Sequence, residues 1–163
     1  MRAATSLLAL VCGVVLADTC ADSLSSHSYW RIDELVLKVY DWDNGGSTGT
    51  FGFKSYYSAT NKTAECLAEN VDLAKLGNTW SKCNEPGTEF QFNFKDISLA
   101  LRETWICSGA TFSANATGDM MLHGCLENDT EMGAESDCNV MEFEMAANVT
   151  SESAKAPPGH DHH

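Results

Sequence analysis

The sequence predicts an all-β fold, a single antiparallel β-barrel or sandwich stabilised by disulfides. Three observations carry that prediction: short segments with apolar residues at every second position, clusters of turn-forming residues between them, and an even number of cysteines behind a cleavable leader. A period of two gives each strand one apolar face for a core and one polar face for water.

The clearest case is EFQFNFKDISLALRETWIC, residues 89–107, where Phe90, Phe92 and Phe94 alternate, Lys95 and Asp96 interrupt, and Ile97, Leu99 and Leu101 resume. A hairpin turning at Lys95-Asp96 lets all six apolar residues face one core. Each would contribute about 1.5–3 kcal/mol when fully buried, so they mark core rather than chemistry. Upstream, residues 28–40 (SYWRIDELVLKVY) read as a strand through Leu35, Leu37 and Val39, residues 41–49 (DWDNGGSTG) as a long loop, and TFGFKSYYSA as a second strand.

The segment TAECLAENVDLAKLGNTW mixes two periods. Ala64, Leu67, Ala68 and Val71 stand at helical spacing, while Cys66 reads as the close of a strand followed by a loop with a helical turn. TFSANATG and DMMLHGC read as two short strands broken at Gly118, and VMEFEMA sets Val140, Glu142 and Glu144 against Met141, Phe143 and Met145. The remaining TSESAKAPPGHDHH is polar and aperiodic, which predicts a disordered tail over residues 150–163.

At the other end, one basic residue and an apolar run from Leu7 to Leu16, too short to span a bilayer, read as a signal peptide. Small residues at Val15-Leu16-Ala17 place cleavage after Ala17, so residues 1–17 are the leader and residues 18–149 form one domain. Of seven cysteines Cys12 leaves with the leader, and Cys20, Cys66, Cys83, Cys107, Cys125 and Cys138 remain for disulfides in an oxidising compartment. Four sequons, beginning at Asn61, Asn115, Asn128 and Asn148, are candidate glycosylation sites that secretion would expose to the modifying machinery. No later run is long enough for a membrane span, so the product is expected to be soluble and extracellular. The net charge of −13, one unit more negative once Arg2 is removed, repels nucleic acid and anionic lipid.

Several motifs together resemble one family. Cys20 is followed by Trp30 in YWRI, Cys66 by TWSKC ending at Cys83, and both precede the FQFNF strand and SLALRETWIC. Over residues 20–146 these motifs resemble the Alt a 1-like family, the AA1-like domain of small secreted fungal proteins. The resemblance implies a compact antiparallel β-barrel, a disulfide joining Cys66 to Cys83, and a second bridge towards the C-terminal end. It also puts Cys20 where the family's founding allergen has an interchain cysteine. This chain departs from that pattern through Cys107, which has Cys20 or Cys125 as its partner. The expected pairing is Cys66–Cys83, Cys125–Cys138 and Cys20–Cys107, which gives a monomer; an interchain use of Cys20 would instead give a Cys20-linked homodimer. By resemblance, the protein is of allergen or effector type and acts by binding a host or extracellular protein, without catalytic residues or a cofactor.

The residues themselves agree with a binding role. There is no G-x-S-x-G, H-E-x-x-H or C-x-x-C motif, and only His27 and His123 lie in the expected globular part. His123 in MMLHGC could orient a hydroxyl, but reads as an ordinary strand residue. The tail Gly159-His160-Asp161-His162-His163 has the donors for Cu(II), Ni(II) or Zn(II), yet ordering a flexible tail opposes tight binding, so no metal site is assigned. Trp30, Trp80 and Trp105 read as core. Trp42, flanked by Asp41 and Asp43 in the turn-rich loop, is the candidate exposed aromatic, with Tyr40 beside it. The alternative to a protein binder is a carrier of a small apolar ligand or a metal ion, and a hydrolase is the third reading. Intact mass after secretion and deglycosylation is expected to show a chain beginning at Asp18 with no alkylatable thiol. A retained leader or a free cysteine would overturn that processing.

Overall fold

The computed structural model describes residues 27–41, 47–130 and 133–152, so Cys20, Trp42 and the His-containing tail lie outside the described residues. In chain order the elements are β1 (Tyr29–Asp41), β2 (Ser47–Tyr57), β3 (Lys62–Asp72), the one-turn helix α1 (Leu73–Leu76) and β4 (Ser81–Lys82). There follow β5 (Thr88–Asn93), β6 (Ser98–Cys107), β7 (Ala110–Asp119), β8 (Leu122–Thr130), β9 (Gly133–Val140), β10 (Phe143–Ala146) and β11 (Asn148–Glu152). Two antiparallel sheets result. Sheet A has the order β3-β2-β1-β9-β8 with β10 also on β1, and sheet B has the order β11-β7-β6-β5-β4. They face each other as a sandwich and do not close into a barrel.

β1 organises sheet A because its two halves serve different neighbours. Tyr29–Ile32 pairs with β10, Val36–Asp41 pairs with β9, and β2 runs along the other side. The apolar phase also changes along it. Trp30 and Ile32 point inward, then Leu35, Leu37 and Val39 do, and a bulge between Asp33 and Val36 with Glu34 at φ 48° absorbs the one-residue slip.

Sheet B contains the hairpin that the sequence announced, with a correction at its turn. Phe90, Phe92, Leu99 and Leu101 are fully buried. Phe94 and Ile97, expected on the strands, instead lie in the turn and are only partly buried. Asn93 shapes that turn by accepting from the Lys95 amide at 3.0 Å and donating to Asp96 Oδ2 at 2.8 Å, and Ile97 takes φ 50°.

Other boundaries move for similar reasons. β3 does not stop near Cys66 but continues to Asp72. Ala64, Cys66 and Ala68 alternate inward, and Leu67, which suggested a helical spacing, is 55 % exposed. The helical turn comes afterwards, where Asp72 caps α1 through the Ala74 amide at 3.1 Å and Leu73 and Leu76 enter the core. Ser47–Gly49, expected in the first loop, belong to β2. β7 passes through Gly118 and the break comes at Met120-Met121, while residues 140–146 divide between β9 and β10. β9 and β11 have no clear apolar alternation of their own and emerge only through pairing with β1, β8 and β7, and β11 carries residues 150–152, expected in the disordered tail, into sheet B.

The sheets are joined by aromatic packing and by one seam. Phe51 of sheet A lies on Phe92 of sheet B with ring centroids 4.0 Å apart and planes within 5°. Phe53 meets Phe90 edge-on at 5.4 Å. At the seam a disulfide joins Cys66 on β3 to Cys83 just after β4, while Asn84 N donates to Glu65 O at 2.9 Å and Glu65 N to Asn84 Oδ1 at 2.8 Å. A second disulfide, Cys125–Cys138, ties β8 to β9. Cys107 is also disulfide-bonded, and Cys20, its expected partner, lies outside the described residues. Replacing Phe92 by Ala is expected to cost about 3–5 kcal/mol in urea unfolding and Phe94→Ala about 1 kcal/mol. Equal losses would show that the turn phenylalanine also belongs to the core.

Candidate functional site

The polar phase of sheet B forms an ordered outer face. Antiparallel pairing sets side chains in rows across the strands, and residues directly opposite one another share a face. The central row runs Lys82, Glu89, Arg102, Asn115 and Asn148 across β4, β5, β6, β7 and β11. Gln91, Ala100 and Thr117 form the row on one side, and Thr104, Ser113 and Thr150 the row on the other. A groove of about 610 Å³ lies over these rows, with Trp80 at its border.

Arg102 is held from two directions. Its Nε and Nη2 both donate to Glu89 Oε2 at 2.6 Å, and its guanidinium lies 4.3 Å from the centre of the Trp80 ring. Such a pair at a partly exposed site contributes little to stability, about 0–1 kcal/mol, but it presents a flat, oriented donor and an indole at the groove's edge. Nearby, the Thr104 and Ser113 hydroxyls are 3.4 Å apart and Thr150 Oγ1 donates to Ser113 O at 3.3 Å. A second depression of about 430 Å³ adjoins this face at the β4–β5 turn and is lined by Glu85, Gly87, Thr88 and Thr104. Gly87 takes φ +86° there, and a Cβ would collide with the Thr104 carbonyl oxygen, whose residue also donates its amide to Gly87 O at 3.1 Å.

Beneath the outer face is one buried carboxyl. Glu103 points inward from β6 and is 2 % exposed, with Thr60 Oγ1 donating to its Oε1 at 3.1 Å. Burial pushes its pKa up, the Thr60 hydrogen bond and the Lys62 cation pull it down, and Glu85 adds to the rise. Lys62 itself is held by Glu85 at 2.6 Å, and that contact raises the ammonium's pKa. Tyr57, whose ring stacks on Trp30 at 4.2 Å and meets Trp105 edge-on at 5.7 Å, is pushed up to about 12, mainly by burial. Ser28 opposes that rise and Glu103 adds to it. The indole N–H groups of Trp30 and Trp105 and the Thr88 hydroxyl are buried with no hydrogen-bond partner among the described residues. This end of the sandwich therefore holds its polar groups at a cost.

Chemically, the outer face offers hydroxyls, amides, an ion pair and an indole, without a histidine among the groove's lining residues. That set hydrogen-bonds and stacks. Among the described residues no three His, Cys, Asp or Glu side chains gather as a metal site, and no helix is long and apolar enough to cross a membrane. Among the sequence-based candidates, the sequon residues Asn115 and Asn148 lie on this face, and the binding candidate Tyr40 does not. Tyr40 is half-buried near the end of β1 in sheet A, opposite Thr48 and Glu135, and Trp42 lies outside the described residues. His123 is exposed on β8. Trp30 is fully buried and Trp105 partly so, as core packing requires, but Trp80 is corrected from core to the border of the groove, where Arg102 covers its ring. Glu89, Gln91 and Arg102 carry no motif of their own in the sequence, although they are the polar phase of the same alternation that marks the core.

Comparison with solved structures yields two crystal structures of the Alternaria alternata allergen Alt a 1. One superposes with a TM-score of 0.54 at 18 % identity, covering 77 % of this chain and 90 % of the other. The second gives a TM-score of 0.52 at 15 % identity over 78 % of this chain and 96 % of the other. The chain thus has the Alt a 1-like fold, with its sheets in sandwich arrangement. No protein-family model and no curated protein sequence matches it.

The buried carboxyl gives a pH dependence with a definite sign. Because the Glu103 pKa is raised on folding, the native state holds its proton more tightly than the unfolded chain. Stability from this group is complete below the unfolded value near 4.5 and is lost as pH rises through the higher folded value. Glu103→Gln keeps an acceptor for Thr60 and removes the ionisation. It is expected to raise stability at neutral pH by about 1–2 kcal/mol and to flatten the profile above pH 5 in urea titrations. An unchanged slope would show that Lys62 already compensates the charge.

Proposed function

We propose that this chain is a secreted, non-enzymatic protein of fungal allergen or effector type that binds an extracellular protein through the outer face of sheet B. The observation that carries the reading is the Trp80–Arg102–Glu89 stack beside the open polar groove. Indole and guanidinium groups held in one geometry lose little freedom on binding and are enriched among residues that dominate interface energies. The net charge of −13 favours encounter with a cationic partner surface. The fold likeness to Alt a 1, an allergen of Alternaria alternata, supports the allergen-type reading. A carrier with an apolar interior is less well supported, because the space between the sheets is filled by Phe51, Phe53, Phe90, Phe92 and their neighbours.

The test begins with extracellular proteins retained by the immobilised chain produced without glycosylation, followed by titration of each purified candidate against wild type, Trp80→Ala and Arg102→Ala in the same unglycosylated form. Each substitution is expected to weaken a true partner at least about tenfold, equivalent to about 1.4 kcal/mol, while thermal unfolding shifts by only a few degrees. Affinity unchanged in both variants would move the contact surface away from sheet B.

A further inference from the structure

Two of the four sequons meet on the proposed binding face, although 33 positions separate their asparagines in the chain. Asn115 on β7 and Asn148 on β11 are direct cross-strand partners, and Asn115 is also directly opposite Arg102 on β6. Both sequons fit the strand pleat. Asn115 and Thr117 are exposed on either side of buried Ala116, and Asn148 and Thr150 are exposed on either side of the half-buried Val149. A sugar on either asparagine therefore leaves the core untouched.

The two differ in what surrounds them. Asn115 lines the groove itself, on a strand flanked by β6 and β11, whereas Asn148 is on the edge strand. The other sequons are elsewhere: Asn61 is in the β2–β3 turn at φ 54°, accepting from Tyr56 Oη at 2.7 Å, and Asn128 is on β8 of sheet A. A saccharide extending from Asn115 Nδ2 emerges among Arg102, Ser113, Thr117 and Asn148, with opposed Cβ atoms about 4.5–5.5 Å apart. With strands spaced about 4.8 Å apart, those neighbours are within reach of its first residue. Hydroxyls and amides there match a sugar's own donors and acceptors.

We infer that Asn115 carries an N-linked glycan whose first sugars lie in the sheet B groove and shield Arg102, so that occupancy of this one sequon governs access to the face. The consequence for binding rests on the function proposed above; occupancy and shielding do not.

The experiment uses the full chain secreted from a eukaryotic host. Occupancy at each sequon is read by peptide mass spectrometry after enzymatic glycan release in heavy-oxygen water. Shielding is read by phenylglyoxal modification of the two arginines of the domain, whose side chains are equally exposed in the bare fold at 43 % for Arg31 and 45 % for Arg102. The wild type is expected to be occupied at Asn115 and to react at Arg102 at least about tenfold more slowly than Asn115→Gln or Thr117→Ala, with Arg31 unchanged. Thr117→Ala removes the acceptor sequence without altering the residue opposite Arg102, so agreement between the variants excludes a local effect of the amide. An unmodified Asn115, equal Arg102 rates, or relief seen only in Asn148→Gln would overturn the inference. Shielding together with normal partner affinity in Trp80→Ala would leave the inference standing and remove the binding reading instead.

Discussion

The fold depends on keeping the apolar faces of two sheets in register across the gap between them. Phe51 and Phe92 come from different sheets and stack almost parallel, and Phe53 and Phe90 interlock beside them. The inner faces of both sheets therefore have to alternate in phase, because a slip of one residue would turn these rings outward. The bulge at Glu34 in β1 preserves this phase, and the Cys66–Cys83 bridge holds the edges nearest the aromatic contact. A disulfide chiefly restricts the unfolded chain, so it reinforces a packing that the rings specify.

Once the inner phase is set, the outer one follows. With Phe90, Phe92, Leu99, Leu101, Ala114 and Ala116 inward, Glu89, Gln91, Arg102, Asn115 and Thr117 have to point outward. The groove is thus the reverse side of the core alternation, and its rows are aligned by the same backbone ladders. Glu103 marks where apolar alternation yields to chemistry. It occupies an inward position that Leu99 and Leu101 lead to, and it remains polar with Thr60 as hydrogen-bond partner and Lys62 nearby. Burying a carboxyl of this kind costs stability unless its hydrogen bonds and a nearby cation offset the loss of water.

Legibility varied with the strength of the local period. The β5–β6 hairpin and the apolar run of β1 could be read directly because alternation and turn residues agreed. β3 was harder, since Leu67 added a spurious helical spacing and faces solvent over Gly52. β9, GAESDCNV, has almost no apolar pattern, and becomes a strand because β1 and β8 supply hydrogen bonds on both sides. Trp80 was misplaced because its neighbour in space, Arg102, is 22 positions away in the chain.

The sequence by itself determined the all-β class, the inner residues of the strongest strands and the identity of the sequons, since each is a local property of composition, period or tripeptide. The tertiary structure decided that the sheets form an unclosed sandwich, that Trp80 borders the outer face, and that Glu103 is buried. It also decided that Asn115 and Asn148 stand opposite each other. These are properties of strand order and register, which arise from hydrogen bonds between segments remote in the chain, and no local pattern encodes which strand will lie beside which.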